Sequence, residues 1–122
     1  MLDILIVDDS AAIRKILQRV LRTAGVPIGR IFEAGDGKQA LEILSTQPVG
    51  LMLSDINMPV MNGLELLSHV KAQDAWKDLK VVMVSTEGSQ AKVMEAVVSG
   101  AAAYIRKPFD AEEVKQKLTK LL

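Results

Sequence analysis

The sequence predicts an α/β domain built on one parallel sheet, doubly wound, with helices covering both faces. Two hydrophobic periods alternate from end to end of the 122 residues: short β-branched or aliphatic runs, and apolar residues spaced three and four apart. Three of the short runs are almost continuously apolar, as central strands covered on both sides should be. Capping residues and breakers punctuate the boundaries between the two patterns. Five strands alternating with five helices then imply right-handed crossovers.

The first strand is Ile4-Leu5-Ile6-Val7. The helix after it carries Ile13, Ile16, Leu17, Val20 and Leu21 on one stripe. One of Asp8, Asp9 and Ser10 is expected to cap that helix, and Gly25 to end it. The second strand, Arg30 to Ala34, alternates and is polar at both ends, which suits a sheet edge. Asp36 with Gln39 opens the second helix on Ala40, Leu41 and Leu44, and Pro48 stops it at about Gln47. Gly50 to Ser54 reads as the third strand. Asn62 with Glu65 then opens a helix on Leu64, Leu67 and Val70. Trp76 falls in a loop before the fourth strand, Val81 to Val84. Val93, Met94 and Val97 mark the fourth helix, closed by Gly100. Ala102 to Ile105 forms the fifth strand, and Asp110 with Glu113 opens the last helix on Val114, Leu118 and Leu121.

Composition narrows the chemistry. With 15 basic and 15 acidic residues the chain is formally neutral, which argues against binding nucleic acid by phosphate neutralisation. No cysteine means no disulfide framework, thiolate zinc site or thiol catalysis. The first apolar run is too short for a signal peptide or membrane span, so a cytoplasmic protein without membrane insertion is expected. Length and the lack of any linker or repeat favour one domain over residues 1–122, with no output domain after the fifth helix.

In an open parallel sheet, function gathers beyond the carboxyl ends of the strands. Four of the five strand ends deliver polar groups there: Asp8, Asp9 and Ser10; then Asp55; then Ser85, Thr86 and Glu87; then Lys107 before Pro108. Neighbouring strands lie about 4.8 Å apart, so carboxylates on adjoining ends repel one another unless a cation lies between them. An all-oxygen set points to a hard divalent ion such as Mg²⁺. With such an ion, Asp55 can act as a nucleophile on a phosphoryl group while Lys107 and Ser85 contact its oxygens. Each residue also has an ordinary reading: cap, loop acid or solvated lysine. No phosphate-binding glycine loop, nucleophile elbow or metalloprotease helix occurs.

Asp8-Asp9, Asp55-Ile56-Asn57-Met58-Pro59, Asn62-Gly63, Ser85 and Tyr104 through Lys107-Pro108-Phe109 together resemble the response-regulator receiver family, particularly its stand-alone chemotaxis type. The resemblance spans essentially the whole chain. It implies a flavodoxin-like strand order of 2-1-3-4-5, with two helices on one face and three on the other. It implies Asp55 as phosphoacceptor, and Mg²⁺, replaceable by Mn²⁺, held by Asp8, Asp9, Asp55 and the Asn57 backbone carbonyl. Lys107 would pair with a phosphoryl oxygen across a cis Lys107–Pro108 peptide. Ser85 and Tyr104 would form the switch, with Asn57, Thr86 and Glu87 tuning phosphoryl lifetime. The implied donor is a histidine kinase or histidine phosphotransfer protein. The implied output is an unidentified downstream protein docked on the fourth helix, fifth strand and fifth helix, in chemotaxis or a related pathway, by a monomer. On this reading the chain is a signalling switch that catalyses only its own phosphotransfer and dephosphorylation. Thr86 is larger than the alanine or glycine usual in the family at that position, and an intermediate to short phosphoryl lifetime is expected.

Two other functions stay open on sequence grounds: a metal-dependent phosphohydrolase using Asp55, and a receiver-shaped adaptor that is never phosphorylated. Arg14, Lys15, Arg19 and Arg22 oppose the apolar stripe of the first helix, and are expected to face solvent or to dock an acidic donor. His69 is expected on the surface of the third helix. Trp76, far from the acidic rim, is expected to report Mg²⁺ poorly.

Overall fold

The structure, a computed structural model, describes residues 2–86 and 90–121. Its strands are β1 (Leu2–Val7), β2 (Ile28–Ala34), β3 (Leu51–Ser54), β4 (Lys80–Ser85) and β5 (Ala103–Arg106). Its helices are α1 (Ala11–Thr23), α2 (Gly37–Thr46), α3 (Gly63–Lys71), α4 (Gln90–Val98) and α5 (Ala111–Thr119), with a 3₁₀ turn at Asp74–Trp76. All four pairings are parallel, and the strand order is β2-β1-β3-β4-β5.

The alternation of side chains along each strand splits the interior into two cores. On one face Ile4, Ile6, Leu51, Leu53, Val82, Val84 and Ile105 meet Leu17 and Leu21 of α1 and Val114 and Leu118 of α5. On the other, Leu5, Val7, Met52, Val81 and Met83 meet Ala40 and Leu44 of α2, Leu66, Leu67 and Val70 of α3, and Ala96 of α4. The helices therefore divide two and three, as the resemblance implies. Every β3 residue is buried, which explains why its sequence shows no polar alternation.

The boundary signals act as expected. Ser10 caps α1 by accepting the Ile13 N–H at 3.2 Å. Asp36 and Asp110 accept from Gln39 and Glu113. A reciprocal capping box forms at Asn62–Glu65. The Gln39 side chain differs, accepting instead from the Gly35 N–H. Gly25 and Gly100 follow α1 and α4 at φ +77° and +107°, where a Cβ would be strained. Strands β1, β2 and β4 begin earlier than expected, at Leu2, Ile28 and Lys80, and the register of β1 on β2 shifts between Leu2 and Ile4, where the Arg30 N–H donates to the Asp3 carboxylate at 2.7 Å. Trp76 sits in the 3₁₀ turn and packs against the second core; it is not in open loop.

Candidate functional site

Parallel strands in this order bring the carboxyl ends of β1, β3, β4 and β5 to one rim. There Asp8, Asp9 and Asp55 each offer an oxygen within 4.8 Å of the others. Asp8 and Asp55 are buried, and Asp9 is exposed.

A buried carboxylate needs hydrogen bonds on every side, and Asp8 has them. Its N–H donates to the Ala34 carbonyl of β2 at 3.0 Å. Its Oδ1 accepts the Ser10 N–H at 2.9 Å, and its Oδ2 accepts Lys107 Nζ at 2.6 Å. Its backbone carbonyl accepts Arg14 Nη1 at 2.6 Å. Asp55 is held less fully. Its N–H donates to the Val7 carbonyl at 2.9 Å, and its Oδ1 accepts the Ile56 N–H at 2.7 Å. Its Oδ2 lies 3.4 Å from Lys107 Nζ, a loose contact beside the one Lys107 makes with Asp8. One Asp55 oxygen is thus lightly engaged at the rim.

Lys107 reaches this position from the end of β5, where its N–H donates to the Ser85 carbonyl at 3.0 Å. The Lys107–Pro108 peptide is cis. Ser85 is fully buried at the end of β4, and Thr86 next to it is exposed. Asn57 is exposed in the loop after β3. Tyr104, at the register position opposite Met83, is half-buried against the core under α2, α3 and α4. Glu87 and Gly88 lie outside the described residues. Gly63 is required by close approach: a Cβ there would meet the Asp55 backbone carbonyl. The α3 start is therefore pressed directly onto the phosphoacceptor candidate, and the Gly63 N–H donates to the Ile56 carbonyl at 2.7 Å.

Three carboxylates and one ammonium leave two negative charges on this rim, which one divalent cation neutralises. The donor set is all oxygen, half-buried and convergent, and it fits Mg²⁺. A cleft of about 520 Å³ lined by Leu2, Gln47, Pro48 and Trp76 opens at the opposite end of the sheet, away from the carboxylates.

One site element departs from the sequence reading. Arg14 does not share the solvated face of α1. Its Nε donates to Glu33 Oε1 on β2 at 3.0 Å, and its side chain is only 19% exposed. Lys15 contacts the other Glu33 oxygen at 3.1 Å, whereas Arg19 and Arg22 are exposed. Burial pushes the Glu33 carboxyl up, but hydrogen bonds from Arg14, Lys15 and Gln18 more than offset this and hold it below the usual range. A signal for Arg14 existed in the sequence. A cation near the N-terminus of a helix opposes the helix dipole and needs a partner.

The response regulator receiver domain model matches residues 4–119. A chemotaxis protein CheY homolog of Campylobacter jejuni is 38% identical over 98% of this chain and 91% of its own length. Chemotaxis protein CheY-3 of Vibrio cholerae is 38% identical over 97% of this chain and 89% of its own. Among solved structures, the chemotaxis response regulator CheY4 of Vibrio cholerae superposes with a TM-score of 0.88 at 34% identity, covering 100% of this chain and 99% of that one. Among the described residues no helix is long and apolar enough to cross a membrane. The chain belongs to the response regulator receiver domain family, the phosphorylation-activated switches of two-component signalling.

Proposed function

We propose that this chain takes a phosphoryl group from a phosphohistidine onto Asp55 and passes the signal to a protein partner through α4, β5 and α5. The observation that carries this reading is the convergence of Asp8, Asp9 and Asp55 with Lys107 reaching both buried acids. A bound Mg²⁺ supplies charge neutralisation, so that an anionic phosphoryl donor can approach an anionic nucleophile. Asp8, Asp9, Asp55 and the Asn57 carbonyl would hold it.

An Asp55 carboxylate oxygen forms the new O–P bond as the P–N bond to the donor histidine breaks, and the histidine nitrogen keeps the electron pair and takes a proton. Lys107, which contacts both acids, leans toward a phosphoryl oxygen as charge moves onto it. Ser85 lies one strand over and offers its hydroxyl to another oxygen. Water later cleaves the acyl phosphate, and Asn57, Thr86 and Glu87 tune how fast. Tyr104, with the small Ala101, Ala102 and Ala103 before it, turns inward as Ser85 moves. Relatives that are chemotaxis proteins support a chemotaxis or related pathway.

Incubation with acetyl phosphate and Mg²⁺, followed by intact mass measurement, tests this. The native chain gains one phosphoryl group; Asp55→Asn gains none, and chelation of Mg²⁺ prevents the gain. Catalytic release of phosphate from added esters would instead indicate a phosphohydrolase. No change in mass would indicate an adaptor.

A further inference from the structure

Asp8 is fixed at both carboxylate oxygens, but among the described residues none holds Asp9, the exposed acid of the three, in that way. What orients it is the backbone. The Asp8 carbonyl and the Asp9 N–H belong to one planar peptide unit, so whatever grips that carbonyl sets where the Asp9 side chain begins. Arg14 grips it at 2.6 Å, and the same guanidinium is anchored at 3.0 Å to Glu33. Glu33 is well placed to hold it, because β2 pairs with β1 at Ile6↔Glu33 and accepts the Asp8 N–H one residue later, at Ala34. A forked guanidinium can serve both acceptors at once from a rigid plane, which an ammonium cannot match.

We infer that the Arg14–Glu33 pair is a positioning device for the cation site, holding the Asp8–Asp9 peptide plane so that the Asp9 carboxylate faces Asp55. This rests on the reading of the three carboxylates as an Mg²⁺ site. Its direction is opposite to that of simple electrostatics. Removing a positive charge near a cation site should tighten Mg²⁺ binding, whereas removing a positioning contact should weaken it.

The test is Mg²⁺ titration by calorimetry, with no phosphoryl donor present. Arg14→Met is expected to weaken Mg²⁺ binding by about tenfold, the usual cost of losing a partner that orients a ligand. In an Asp9→Asn background the same substitution is expected to change nothing further. Lys15→Met, which removes a Glu33 contact but none to Asp8, is expected to bind as the native chain does. If thermal melting shows that Arg14→Met does not fold, Arg14→Lys takes its place: it keeps the charge but cannot fork to both acceptors, and weakening in the same direction is expected. Unchanged or tighter binding by Arg14→Met, or a loss that persists in the Asp9→Asn background, would overturn the inference while leaving the Asp55 reading intact. Failure of the native chain to bind Mg²⁺ at all would overturn both.

Discussion

Val60 sits five residues after Asp55 with φ +69°, while Met61 N–H donates to the Pro59 carbonyl at 2.7 Å. That is a γ-turn with a positive-φ centre, a strained geometry made more so by a β-branched side chain. Nothing in its burial compensates, since Val60 is 75% exposed. The strain lies in the loop that joins β3 to α3. Val60→Gly should therefore stabilise the fold by about 0.5–1 kcal/mol, the relief of left-handed strain less the backbone entropy of glycine. Urea unfolding reads this, and a loss of stability would show that the turn is not strained in solution. Glu33 offers a second measurable effect. Its folded-state titration lies below the ordinary value of 4.5, so its contribution is full above that pH and is lost as pH falls through the folded value. The stability advantage of the native chain over Glu33→Gln should be present at neutral pH and shrink on acidification below 4.5. An advantage that persists unchanged to pH 2 would contradict the pairing.

The helices are unequally bound to the sheet. α3 buries Gly63, Leu66, Leu67 and Val70, and each large apolar side chain among these contributes about 2 kcal/mol of burial. α4 buries Ala96 alone among its described residues, while Met94, Val97 and Val98 are exposed. A switch needs an element whose two arrangements differ little in energy, and the sparse burial of α4 makes it the candidate for that element. Backbone amides of α4 should exchange with deuterium well before those of α3 and α5, as sparsely packed elements do. Equal protection in all three would remove α4 as the moving part. The same contrast explains what was legible in the sequence. α1 announced itself by a continuous stripe and a serine cap, and the central strands by nearly unbroken apolar runs. α4 shows the same period, but its apolar side chains mostly face outward, so periodicity alone would have overstated its burial. Strand starts were hidden for another reason: Leu2 and Lys80 pair with Ile28 and Leu51 through backbone atoms that side-chain chemistry does not reveal.

Across the fold, the acids and the lysine come from positions as far apart as Asp8 and Lys107, and only the β2-β1-β3-β4-β5 order makes them neighbours. The convergence at the strand ends was readable because parallel topology dictates it. For Arg14, its place near the start of α1 signals that a partner is needed, but a helical wheel does not show that an edge strand supplies it. Chain-wide, the cation should act as a ligand of the folded state alone. At a hundredfold excess over its dissociation constant Mg²⁺ should stabilise by about 2.7 kcal/mol, and Asp9→Asn should remove most of this. Trp76 emission should barely change, because its 3₁₀ turn lies at the far end of the sheet. A large quench would place the cation elsewhere.

The acyl phosphate itself is the most direct target for measurement. Borohydride reduces such a phosphate to an alcohol, so the protein is incubated with acetyl phosphate and Mg²⁺, reduced, digested and sequenced by mass spectrometry. Homoserine is expected at position 55 and aspartate at positions 8 and 9; homoserine at another acid, or at none, would contradict phosphoryl transfer to Asp55.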